Sequence, residues 1–129
     1  MSDYAKIEIK FTYSKNSDYS DPEQEITFAE FETTPDEYEV KVVEADTGGT
    51  TVELGNFATI EAIIVQNLDP TNYVDATWRT TGGSTNDQVI QVSAGDSLVL
   101  PCDDITIASD LVLTANSAAC RCRVVIIGS

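Results

Sequence analysis

The chain reads as an all-β protein: an antiparallel β-sandwich of about ten strands, with a jelly roll as the expected arrangement. Three observations predict this. Apolar and polar side chains alternate at period two in short runs. Turn residues interrupt those runs at intervals of roughly 8–12 residues. No stretch holds the 3.6-residue spacing of an amphipathic helix.

Lys6–Tyr13 alternates cleanly, with Ile7, Ile9, Phe11 and Tyr13 on one face and Lys6, Glu8, Lys10 and Thr12 on the other. It reads as a half-buried strand. Ser14–Gln24 is polar and carries Asp18, Asp21, Pro22 and Glu23, which makes it a loop or arm. The spacing of its acids does not match a calcium loop of the Asp-x-Asp-x-Asp-Gly kind, so a solvated loop is expected. Glu25–Thr33 resumes a strand with Ile26 and Phe28, then changes phase at Phe31, which predicts a bulge or a crossing between sheets.

Thr34–Glu37 is a turn, and Tyr38, Val40 and Val42 form an expected inward row with Glu39 and Lys41 outward. Thr47-Gly48-Gly49-Thr50 has hairpin-turn chemistry, and leads into a strand over Thr51–Leu54 that Gly55-Asn56 breaks. Thr59–Gln66 is apolar on both faces, as a central strand should be. After the turn-rich Asn67–Asn72, Tyr73–Thr80 points Val74, Ala76 and Trp78 inward and Asp75, Thr77 and Arg79 outward. Trp78, the sole tryptophan, is expected to anchor the core. Thr81–Asn86, with Gly82 and Gly83, reads as a contact loop.

The last third carries the densest turn signals: Ser93–Asp96, Pro101–Asp104 and Asn116–Ala118. Between them lie Val89–Val92, Ser97–Leu100, Ile105–Ala108 with Leu111–Thr114, and Cys120–Ile127. Leu111, Leu113 and Ala115 share a face, as do Cys120, Cys122, Val124 and Ile126; Arg121 and Arg123 fall opposite. Val124–Ile127 is apolar throughout, which suits a strand covered on both sides by the domain or by a neighbouring subunit.

At 129 residues the chain is expected to form one domain over 1–129, with 14–24 as its polar arm. The charge is −15, from 22 acids and 7 bases with no histidine. That disfavours nucleic acid and anionic membranes, both of which call for clustered cations. Residues 1–54 hold 14 acids and 4 lysines, so the N-terminal part is the more solvent-facing or meets something basic. Three cysteines suggest buried thiols: neighbours on one strand face stand at the limit of disulfide reach, and sequence leaves a pairing of Cys102 with Cys120 or Cys122 open. A metal site lacks a fourth ligand, and no cofactor is expected. The N-terminal residues resemble no secretory leader, and no apolar run is long enough to span a membrane as a helix.

Ile63–Val74, with its Asn67, Asp69 and Thr71-Asn72-Tyr73, together with Val92–Asp96 and Leu111–Gly128, resembles small β-sandwich (jelly-roll) structural proteins of tailed-bacteriophage virions, of the head decoration type. The likeness spans about residues 59–128. It implies a homo-oligomer, with a trimer favoured, that docks on the major capsid protein or other virion subunits. It brings no catalytic residue, and implies a virion location after synthesis in the host cytoplasm.

The first functional expectation is therefore a capsid decoration (cement) protein that stabilises the head shell through protein–protein contacts. Asp18, Asp21 and Glu23 of the arm and Gly82 and Gly83 of the loop are candidate contacts, with Arg121 and Arg123 for subunit pairing. The alternative is a tail or baseplate component, or a host-glycan-binding module using Tyr73, Trp78 and the glycine loop. An enzyme is not expected, since Asp103-Asp104 reads as a turn and no nucleophile or phosphate-loop motif occurs.

Overall fold

A computed structural model of the chain describes residues 4–20, 22–27, 31–33, 37–54, 57, 59–79, 87–101 and 111–128. Among these residues run twelve strands and no helix, in agreement with the period-two pattern. The chain divides into two units, Met1–Thr34 and Pro35–Ser129.

The first unit is a two-stranded ribbon. β1 (Ala5–Ile7) and β2 (Lys10–Ser14) run out, and β3 (Pro22–Thr27) and β4 (Phe31–Thr33) return. Phe11 stands opposite Ile26 and Tyr13 opposite Gln24, while Ile7 stands opposite Phe31. Ile7 to Lys10 is three steps and Thr27 to Phe31 is four, so the returning side carries one extra residue. That extra residue is the phase change read at Phe31.

Two expectations for this unit need correction. The polar segment at 14–24 is shorter than its composition suggested, because Pro22–Gln24 already belongs to β3. A proline that opens a strand leaves no ladder donor missing. The row Ile9, Phe11, Tyr13 is also exposed rather than half-buried, with Phe11 45% and Tyr13 52% accessible. A two-stranded ribbon carries no second layer of its own to bury that row.

The second unit holds β5 (Glu37–Ala45), β6 (Thr50–Val52), β7 (Ile60–Asn67), β8 (Val74–Arg79), β9 (Asp87–Val92), β10 (Ser97–Pro101), β11 (Leu111–Ala115) and β12 (Cys120–Gly128). They form two four-stranded antiparallel sheets, ordered β10-β7-β12-β5 and β6-β11-β8-β9, packed as a β-sandwich. The inner rows are those the alternation predicts: Leu111, Leu113 and Ala115; Cys120, Cys122, Val124 and Ile126; Val74, Ala76 and Trp78. Fully burying such aliphatic side chains contributes roughly 1.5–3 kcal/mol each.

The connections cross between sheets. The segments after β5, β7, β9 and β11 each lead from one sheet to the other. The Gly48-Gly49 turn, expected to close a hairpin, is one of these crossings. Gly49 has φ +92°, and a Cβ there would press on Val112 Cγ1 at 3.2 Å and Thr114 Oγ1 at 3.3 Å. A turn that needs positive φ therefore announces itself in sequence, whereas the sheet its far side joins does not.

Strand β5 is reversed from expectation. Tyr38, Val40 and Val42 point away from the core, while Val43 packs against it and Ala45 lies within it. Pairing with β12 explains this: Ala45 stands opposite Cys120 and Val43 opposite Cys122. The opposite phase would carry Glu44 into that row, and a carboxylate buried without a partner is costly. In the observed phase the inward charges sit at the sheet edge and are satisfied. Lys41 Nζ donates to the Glu53 carbonyl at 2.7 Å and pairs with Glu39 at 3.5 Å.

Candidate functional site

The reversal of β5 gives the first sheet an apolar outer face. Its register sets Val99, Ile64, Val125 and Val40 side by side across four strands. The next row is Ala62, Ile127 and Tyr38, of which Ala62 and Ile127 are buried, and the row on the other side is Ser97, Gln66, Arg123 and Val42. Tyr38, Val40 and Val42 are 74%, 53% and 51% exposed. Antiparallel sheets with one solvated face normally turn polar residues to it; here Ser97, Gln66 and Arg123 do so at one end, while the edge strand exposes Tyr38, Val40 and Val42. An exposed apolar surface of this kind marks a contact site.

The basic end of this face carries Arg121, opposite Glu44, and Arg123, whose Nη1 donates to Gln66 Oε1 at 3.3 Å. Both arginines are exposed, on the side of β12 the sequence assigned them. β5 is an edge strand, but its inward-pointing Lys41 and Glu39 oppose extension of the sheet by another chain. Contact through the face is favoured over contact through the edge.

The ribbon carries the second uncovered apolar surface. Phe11, Tyr13 and Ile26 lie on one side, with Ile9 continuing the row, all exposed. The other side is polar, with Lys10 paired to Glu25. That pair raises the Lys10 pKa through the hydrogen bond to Glu25 and its charge. At the tip, Asp18 Oδ1 accepts from Ser20 Oγ at 2.8 Å and Ser20 N at 3.1 Å, which holds its carboxyl below the usual range. Glu23 pairs with Lys15 at 3.1 Å. Asp18 and Glu23 thus sit at or next to the tip, while Asp21, Gly82, Gly83 and Cys102 lie outside the described residues.

Residues of the stretches 63–74, 92–96 and 111–128 meet at one end of the sandwich. Asn67 is the buried polar side chain there. Its Nδ2 donates to the Asn72 carbonyl at 2.8 Å and the Val92 carbonyl at 3.2 Å, and its Oδ1 accepts from Asp69 N at 3.0 Å. Its own backbone bonds Asp96 and Gly95, and Leu68 N donates to the Arg121 carbonyl. Asp69 Oδ1 accepts from Asn72 N at 2.7 Å and Thr71 N at 2.9 Å, and these N–H groups hold its carboxyl below the ordinary range. Ser117 Oγ closes the network on Asn72 Oδ1 at 2.8 Å. These hydrogen bonds tie together the loops at this end of the sandwich.

Cys120 and Cys122 are buried free thiols on the inner row, and Cys120 Sγ donates to the Ala118 carbonyl at 3.3 Å. Burial pushes Cys122 up to about 11 and raises Cys120, with the Asp69 charge adding to both. Such thiols are poor nucleophiles at neutral pH. Among the described residues no group of His, Cys, Asp or Glu is arranged to hold a metal. Trp78 is 6% exposed and packs in the core, so it offers no platform to a sugar ring.

Sequence reasoning missed Tyr38, Val40 and Val42 as surface residues. The signal that could have found them is β12, whose unbroken Val124–Ile127 run demands apolar neighbours on both sides. Comparison with protein-family models, curated proteins and solved structures finds no match for the chain.

Proposed function

We propose that the chain is a structural protein of a tailed-bacteriophage virion, a capsid decoration protein that works through its surfaces. The carrying observation is the apolar outer face of β10-β7-β12-β5, exposed along Tyr38, Val40 and Val42 of its edge strand, on a small acidic sandwich. Two further points support the reading. In the sandwich unit the first, eighth, third and sixth strands make one sheet, and the second, seventh, fourth and fifth the other. We read this order as that of a jelly roll, a fold used in capsids. The residues that resemble the phage proteins also form one connected network around Asn67.

On this reading the partners are the major capsid protein and further copies of the chain, a trimer being what the resemblance implies. The net charge of −15 favours basic partner surfaces and disfavours DNA. The test is binding of purified protein to undecorated heads and to tails of the phage that encodes it, followed by co-sedimentation. Saturable binding to heads is expected; attachment to tails alone, or to host polysaccharide alone, overturns the assignment.

A further inference from the structure

The edges of the sandwich are not alike, and one of them is open. We propose that β9 pairs antiparallel with β9 of a second copy about a two-fold axis, with Ile90 opposite Ile90, so that two β6-β11-β8-β9 sheets join into one sheet of eight strands. The pairing uses a different surface from the outer face read as the head contact, so each can fail without the other. Its two-fold pair stands in place of the trimer that the resemblance implies.

Exposure along β9 marks the opening. Ile90 stands opposite Ala76 and alternates with Val92, so it belongs to the inner row of its sheet. Ala76 and Val92 are 0% and 3% exposed, yet Ile90 is 40% exposed. On the outer face Val89 is 57% exposed. An inward isoleucine that still meets water lacks a neighbour, and the missing neighbour is a strand beyond β9.

The other edges are protected. Among the described residues, β6 has three residues, β10 ends on Pro101, which has no N–H to donate, and β5 points Lys41 and Glu39 inward. Short strands, prolines and inward charges keep sheet edges from pairing. β9 has six residues, no proline and no lysine, and pairs with β8 without a bulge.

A second copy fits this edge by symmetry, charge and closure. The two-fold axis sets the two Ile90 residues together on the core side and Val89 beside Gln91 on the outer side. Backbone hydrogen bonds then run along the pair. β9 carries one charged residue, Asp87, at its first position. In the antiparallel register the two Asp87 Cα atoms stand about 20 Å apart along the strands, beyond the Debye length, whereas parallel pairing would set them side by side. The pair uses up both open edges and leaves only protected ones, so growth stops at two copies.

The test is sedimentation of the full-length chain over a range of concentrations. Wild type is expected to dimerise, and to dimerise more tightly as salt rises, because each copy carries −15. Ile90→Lys removes the apolar contact and sets like charges across the axis, and is expected to weaken the dimer at least ~100-fold. Thr51→Lys adds the same charge at the far edge of the same sheet and is expected to leave the dimer unchanged. Both positions are exposed, so both variants should fold, as circular dichroism would verify.

Mild oxidation reads the register. Ile90→Cys is expected to crosslink to its own copy, since directly opposed Cα atoms lie within disulfide reach, and Val89→Cys is not. Wild type is the control for the chain's own thiols. A monomer at every concentration overturns the proposal, as does a dimer that loosens with salt, survives Ile90→Lys or is weakened equally by Thr51→Lys. Crosslinking through Val89→Cys instead of Ile90→Cys overturns it too, since the inner isoleucines would then not meet.

Discussion

The outer faces of the two sheets make the telling comparison. Across the first sheet runs Val99, Ile64, Val125, Val40; across the second runs Thr51, Val112, Thr77, Val89. The row beside the latter is Thr114, Asp75, Gln91. Both sheets have four antiparallel strands and apolar inner rows. The second sheet uses threonine outward, a residue that suits a strand and tolerates water. The first uses valine and isoleucine at all four equivalent places, half-buried in Val99, Ile64 and Val125 and exposed in Val40. On the proposed reading the difference lies in what each face meets: Val89 of the second is as exposed as Val40 of the first, but only the first carries an unbroken apolar row.

The largest test of this comparison checks that the inner layers are equal. Ile126→Ala on the first sheet and Leu113→Ala on the second each remove a fully buried aliphatic side chain. Each is expected to cost about 2–5 kcal/mol in urea unfolding of the isolated chain, with no systematic difference between the sheets. A markedly smaller cost for Ile126→Ala would mean that the first sheet is weakly packed on both sides. Its outer valines would then reflect loose alternation rather than a contact.

Outer-face swaps should have a smaller effect on stability and sharpen the contrast. Val40→Thr with Val42→Thr makes the first face resemble the second, and is expected to change stability by less than about 0.5 kcal/mol per site. Head binding should nonetheless weaken by about tenfold or more, because those methyl groups are buried only in the complex. Thr77→Val on the second sheet is expected to alter neither property. Equal loss of binding from both faces would remove the distinction.

How far the sequence anticipates this molecule depends on what fixes each feature. Strands β7, β8, β11 and β12 were legible, with the faces of Val74, Ala76, Trp78, Leu111, Leu113, Cys120 and Cys122, because strict alternation and bracketing turns are local properties. The phase of β5 was not. Tyr38, Val40 and Val42 alternate with charges as a buried row would, and only pairing with Cys120 and Cys122 of β12, some eighty residues on, selects Val43 and Ala45 instead. The Gly48-Gly49 turn has the same limit, since its conformation is local but its crossing to the other sheet is not. The role of Asn67 was invisible as chemistry, although the stretches it joins had already been singled out. Arg121 and Arg123 were placed on the correct face of β12, but the valines beside them, which make that face a candidate site, were assigned inward.

The smallest effect is a pH dependence that reads the first sheet alone. Its inner row carries the thiols Cys120 and Cys122, whereas that of the second sheet, through Leu111, Leu113, Ala115, Val74, Ala76 and Trp78, carries none. Burial, with smaller contributions from Cys120 and Asp69, raises Cys122 from 9.0 to about 11, so folding favours its neutral form. Below pH 9 both folded and unfolded chains hold the proton, and the stability is fully present. Between about 9 and 11 the unfolded chain releases it while the folded chain does not, so stability falls by roughly 1 kcal/mol per pH unit. Lysines and tyrosines titrate in the same window, and Cys122→Ala separates them from the thiol. Urea midpoints should decline less steeply from pH 9 to 11 in Cys122→Ala than in wild type. Equal slopes would show that water reaches the thiol, and hence that the first sheet's inner row is less closed than its outer face is open.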